Sequence, residues 1–134
     1  MPRSGTGSAM YSVGTAIEFP AQHVMPGMEG PEGVLHHHDY RLEVVVERED
    51  LDERGMVCDL DVLDAALQRI DDCVRGQNLD TIRPADAEAV TVEVFARWAQ
   101  DELRRQLEGS GAATIEVRIF ENQFAFGAFR SAVG

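Results

Sequence analysis

Three of the chain's four histidines stand in one run, His36, His37 and His38 of "VLHHHDYR", and the fourth, His23, lies a short way upstream in "FPAQH". Imidazole suits two tasks near neutral pH, moving a proton and coordinating a metal ion. Along a strand, residues two apart project to the same face, so His36 and His38 point together while His37 points away. His23 has the parity of the apolar Phe19 and Ala21 that precede it. If the two segments pair, three neutral imidazoles converge on the apolar side of one sheet. Three nitrogen ligands with a fourth position left for water or substrate are the catalytic form of a zinc site, where Zn2+ polarises a carbonyl or acidifies a hydroxyl. Ordinary hydrogen-bonded histidines in a polar pocket are the alternative that spacing alone leaves open. His37 is expected to face solvent or a neighbouring subunit.

A second signal is Glu121, which continues the apolar series Ile115, Val117, Ile119. A carboxylate there is costly unless it is paired or hydrogen-bonded. A ligand with adjacent N–H donors, such as a guanidine-like ring edge, would satisfy it; a strand that has simply ended, leaving Glu121 exposed at a hairpin, is the other reading.

These residues need elements to hold them. From Tyr11 to His23, apolar Val13, Ile17, Phe19 and Ala21 alternate with Ser12, Glu18 and Gln22, which predicts a strand. After the loop "MPGMEGPEG", period two returns with His36, His38, Tyr40, Leu42, Val44 and Val46 on one face of a second, antiparallel strand. Beyond the charged turn "EREDLDERG" the period changes: Leu60, Leu63, Leu67, Ile70 and Val74 mark a helix with Asp59 placed to cap it. "RGQNLDTIRPADAEA" reads as a long loop, and Val92, Phe95, Ala99, Leu103 and Leu107 as a second helix closed by "GSG". Alternation resumes in Ile115, Val117 and Ile119 and again in Phe124, Phe126 and Ala128, with "NQ" as a tight turn between them. The predicted order is ββααββ, an α+β chain forming one domain over 10–134 after a disordered segment 1–9.

The composition narrows the function. Acidic residues number 24 against 12 basic ones, every basic residue is arginine, and the net charge is −12. Such a chain repels a phosphate backbone, which argues against nucleic acid as a partner, and an anionic small molecule would need a locally positive pocket. Apolar runs fall short of the roughly 20 residues of a membrane helix, and no secretory pattern stands at the start, so a cytoplasmic protein is expected. Cys58 and Cys73 are expected to be buried thiols rather than a disulfide.

Over nearly its whole length the chain resembles the 6-pyruvoyl-tetrahydropterin synthase and 6-carboxytetrahydropterin synthase family. "FPAQH" resembles the family's F-x-A-x-H, and "HHHDY" its H-G-H-x-Y with His37 in place of glycine. "LDERGMVCDL" is similar to L-D-x-x-G-M-V-x-D. "TVEVFARW" is similar to T-x-E-N-L-A-x-W, with Val94 for asparagine and Val90 for the preceding proline. Glu121 falls where the family keeps a glutamate that holds the amino-pyrimidinone edge of a pterin, and Thr91 begins the segment beside it. The resemblance implies the tunnelling fold: an antiparallel four-stranded ββααββ sheet with two helices on one face, joined into a barrel and a homo-oligomer, usually a hexamer of two trimers with sites between subunits. It also implies zinc on His23, His36 and His38, and a reduced pterin, dihydroneopterin triphosphate, as substrate.

The catalytic segments depart from the family's pattern in two places. Glu32 stands where the family usually has its cysteine base; a subset with glutamate there cleaves the side chain to 6-hydroxymethyl-dihydropterin, and by that resemblance Glu32 is a general base, a solvated loop carboxylate being the alternative. The L-D-H-x-x-L-N segment that supplies an aspartate and histidine aligns with "VRGQNLD", placing Arg75 and Gly76 in their stead. Arg75 could receive an anionic group of the substrate or be a surface arginine.

Overall fold

The computed structural model describes residues 9–134, so the N-terminal segment expected to be disordered lies outside the described residues except for Ala9. Four strands, β1 (Tyr11–His23), β2 (His36–Arg48), β3 (Thr114–Phe120) and β4 (Phe126–Ala132), form one antiparallel sheet in the order β1-β2-β3-β4. Two helices, α1 (Leu60–Val74) and α2 (Val92–Arg104), cross between β2 and β3 and pack on the same face, α1 over β1 and α2 over β3 and β4.

The inward face follows the period-two pattern. Phe19 and Ala21 of β1, Tyr40, Leu42, Val44 and Val46 of β2, and Ile115, Val117 and Ile119 of β3 are buried against Leu63, Leu67 and Ile70 of α1 and Phe95, Ala99 and Leu103 of α2. Asp59 caps α1 by accepting from the Asp61 N–H, and Thr91 caps α2 by accepting from the Val94 N–H at 3.1 Å. The outward face is polar and laced with ion pairs such as Arg41–Glu43 at 2.9 Å and Arg130–Glu47 at 2.9 Å.

Four expectations need correction. The hairpin between β3 and β4 is not a two-residue turn: Phe120 pairs with Phe126, and residues 121–125 form the loop, held by Asn122 Oδ1 accepting from the Phe124 and Ala125 N–H groups. That register turns Gly127, Phe129 and Ser131 inward opposite Ile119, Val117 and Ile115, and leaves Phe126 and Ala128 outward, with Phe124 exposed in the loop. The long loop before α2 contains a short 3-10 turn, Leu79–Ile82, whose Leu79 and Ile82 join the core. Of the two thiols, Cys58 is buried but Cys73 is exposed, because it lies on the solvent side of α1 while Ile70 and Val74 take the inward positions.

Candidate metal centre

The up-and-down topology brings the predicted site residues to one pole. β1 ends there at His23, β2 starts there at His36, β3 ends beside Glu121, and α1 ends there, where the Gly76 N–H donates to the Pro20 carbonyl at 2.7 Å. The start of α2 is at the same pole, with Val92 and Glu93 packed over Gly127.

His23 and His36 are directly opposed in the β1–β2 register, and His38 is opposed by Ala21, whose small side chain leaves the imidazole room. Period two and register together therefore form the triangle. Ring centroids lie 5.5 Å apart for His23 and His36 and 4.8 Å apart for His36 and His38. Donor atoms of His23, His36, His38 and Glu32 all fall within 4.8 Å of one another, a group able to hold a metal ion. The Nε2 atoms of His36 and His38 are 3.1 Å apart. Ligands about 2.0–2.1 Å from a tetrahedral zinc are about 3.3–3.4 Å from each other, so the spacing suits that ion.

Two features of the imidazoles fit coordination. His23 is 6% exposed, and both of its ring nitrogens are buried without a hydrogen-bond partner. A buried polar group left unpaired is costly, and a metal is one way to satisfy it. His36 Nδ1 lies 2.8 Å from the Val34 carbonyl oxygen. A carbonyl can only accept, so Nδ1 carries the proton and Nε2 presents its lone pair to the cluster, the outer-sphere arrangement usual for metal-bound histidine. Burial lowers the pKa of His23, with the neighbouring His36 and His38 adding to the effect and Glu32 and Glu121 opposing it. The ring is thus held in the neutral form that binds metal.

Glu32 reaches the cluster from a 3-10 turn, Pro31–Gly33, with Oε2 3.4 Å from His36 Nε2. Glu121 lies just past β3, where its N–H donates to the Ala125 carbonyl; its carboxylate raises the pKa of His23 and of Tyr40, and the residue lines a cleft of about 670 Å³ formed mainly by outward-face residues, Glu18, Asp39, Arg41, Glu43 and Phe120. A cleft of about 600 Å³ at the far end of β1, lined by Tyr11, Leu51 and Leu60, lies at the opposite pole and is no part of this site. His37 is exposed on the outward face opposite Gln22. Arg75, at the end of α1, pairs with Asp71 at 2.9 Å and donates to the Glu18 carbonyl at 3.1 Å, beside β1 rather than within the cluster. Thr91 spends its hydroxyl lone pair on the α2 cap. The sequence reading gave Tyr40 only a core role. Its ring lies 5.6 Å from that of His38, and burial, then Glu121 and Glu32, push its phenol far above the usual range. The signal was present in its parity with His36 and His38.

Among solved structures, a catalytic-residue mutant of Plasmodium vivax 6-pyruvoyltetrahydropterin synthase, with alanine in place of a glutamate, superposes with a TM-score of 0.75 at 12% identity, covering 92% of this chain and 99% of that one. The Caenorhabditis elegans 6-pyruvoyl tetrahydropterin synthase gives 0.71 at 20% identity, covering 92% and 96%. At such identities the likeness speaks for the fold, the tunnelling fold. No curated protein matches the chain. Residues 12–131 match the family described as 6-pyruvoyl tetrahydropterin synthase, and the chain belongs to that family.

Proposed function

We propose that the chain is a zinc-dependent lyase of the 6-pyruvoyl-tetrahydropterin synthase type, acting on dihydroneopterin triphosphate or a related reduced pterin. The observation that carries this reading is the convergence of His23, His36 and His38, with both His23 nitrogens unpaired, in a chain of this family. Zinc held by these three residues would supply Lewis-acid polarisation of the substrate's side-chain oxygens. Glu32, next to the cluster, acts as the general base that takes a proton from the side chain. Glu121 accepts from the N–H donors of the amino-pyrimidinone edge, Thr91 supports the ring, and Arg75 receives an anionic group. The product expected from a glutamate base is 6-hydroxymethyl-dihydropterin.

Thr91 and Arg75 lie outside the histidine cluster of their own chain, which suits a site completed by a neighbouring subunit. β1 and β4 form the edges of the sheet. Edge strands favour pairing with another chain, and a hexamer of two trimers is the assembly proposed. Among the described residues no helix is long and apolar enough to cross a membrane. A cytoplasmic location goes with this reading.

A second reading keeps the zinc and pterin pocket without the reaction. It is favoured by Arg75 and Gly76 standing where an aspartate and histidine would serve proton transfer. Incubating the zinc-loaded protein with dihydroneopterin triphosphate and identifying products by mass separates the two. A 6-hydroxymethyl or 6-pyruvoyl pterin establishes the lyase, and Glu32→Ala should then abolish turnover even at saturating zinc. Substrate recovered bound and intact favours the binding protein; substrate neither bound nor changed refutes both.

A further inference from the structure

We infer that Glu32 is a fourth metal ligand of the resting site, so that the chain's own carboxylate closes the centre until a substrate oxygen displaces it. This rests on the metal-centre reading above and adds a role for Glu32 that precedes any action as a base.

The Val34 carbonyl holds the His36 proton on Nδ1, so His36 Nε2 is an acceptor. It faces His38 Nε2 at 3.1 Å and Glu32 Oε2 at 3.4 Å. His36 Nε2 and the Glu32 carboxylate oxygen are both acceptors and repel one another unless a cation or a proton sits between them. The two distances bracket the ligand–ligand spacing of about 3.3–3.4 Å expected around tetrahedral zinc. Carboxylate and imidazole are both ordinary zinc ligands, and the three imidazoles with one carboxylate make a complete set of four. The four donor atoms lie within 4.8 Å of one another.

The backbone fixes Glu32 for this role. Its carbonyl accepts from the Met25 N–H at 2.8 Å, and the turn is closed by the Gly33 N–H to Gly30 and the Val34 N–H to Pro31. Gly33 is required there, since a Cβ at that position would lie 1.8 Å from the Met28 carbonyl oxygen. The side chain itself is 52% exposed, so it can swing away from the cluster without disturbing the core. A hydrogen-bonded turn carrying an exposed carboxylate is what a displaceable ligand needs. Its consequence is selectivity: a ligand must outcompete Glu32, which favours substrates offering more than one oxygen over single water molecules or small anions.

Cobalt(II)-loaded protein provides the test, because its visible spectrum reports the ligand set without turnover. A water in the fourth position of a three-histidine site ionises near about pH 7. The wild-type spectrum is expected to stay constant between pH 6 and 9 and to ignore added azide. Glu32→Ala should gain a pH-dependent transition and an azide-dependent shift, and bind zinc at least about tenfold more weakly. A wild type that shows the same transition and azide response as Glu32→Ala overturns the inference and leaves the three-histidine centre standing. A wild type that takes up neither cobalt nor zinc overturns the metal-centre reading itself, and this inference with it.

Discussion

Replacing His23 with leucine separates a metal-binding histidine from a structural one. Most substitutions at buried positions destabilise a protein, by about 0.5–3 kcal/mol. Here the sign should differ for the metal-free chain. His23 buries two ring nitrogens with no partner, and each unpaired buried polar group costs about 1–3 kcal/mol. Leucine has no such groups and a similar volume, and the side chain it replaces neighbours the apolar Phe19 and Ala21 along the inward face. Imperfect repacking returns about 1–3 kcal/mol. Relief of about 2–6 kcal/mol from the two nitrogens against that repacking cost leaves the metal-free protein with a gain centred on about 2 kcal/mol. The zinc response should vanish at the same time. Wild type at free zinc about 100-fold above Kd gains about 2.7 kcal/mol by mass action, whereas His23→Leu gains little. Urea unfolding with and without zinc, in chelator-treated buffer, measures all four quantities. A metal-free His23→Leu protein clearly less stable than metal-free wild type, or one that keeps the zinc-dependent gain, refutes the reasoning.

Because burial lowers the pKa of His23, the unfolded chain binds its proton more readily than the folded one; stability of the metal-free protein should fall as pH drops below the ordinary value of 6.5, and urea titrations at stepped pH should show a smaller fall for His23→Leu. Gly127→Ala places a Cβ 2.8 Å from Val92 Cγ2 and 3.0 Å from the Glu93 nitrogen at the start of α2, so the urea midpoint should drop by the equivalent of about 1–3 kcal/mol, and an unchanged midpoint would contradict the packing described. Gly33→Ala must rebuild the turn that carries Glu32 while leaving the three histidines on their strands; zinc should still bind, with the pH-dependent cobalt spectrum expected of Glu32→Ala, and a wild-type spectrum would count against the fixed turn.

The parts of this fold that could be read from sequence are those where one face is buried and the other is wet. β1, β2 and β3 alternate cleanly, and because side-chain parity is strict in a strand, the convergence of His23, His36 and His38 followed from parity once the first two strands were paired. β4 resisted the same logic. Phe124, Phe126 and Phe129 occupy both parities, and the choice between them is made by the five-residue loop that sets the register with β3, which no local pattern reveals. Glu32 illustrates a different limit. Its closeness to His36 depends on a 3-10 turn folded back by the Met25–Glu32 backbone bond, a tertiary feature that only the family resemblance anticipated. Arg75 and Thr91 were legible as residues of the right chemistry. Their local engagements, an ion pair with Asp71 and a helix cap, depend on where α1 stops and α2 starts.

The most direct test of the central claim is metal content. Protein purified without chelator, or reloaded and dialysed, should carry one zinc per chain by elemental analysis, and His36→Ala and His38→Ala should each lose most of it while remaining folded. Wild-type protein that holds no zinc, or alanine variants that hold as much as wild type, would contradict a metal centre built on His23, His36 and His38.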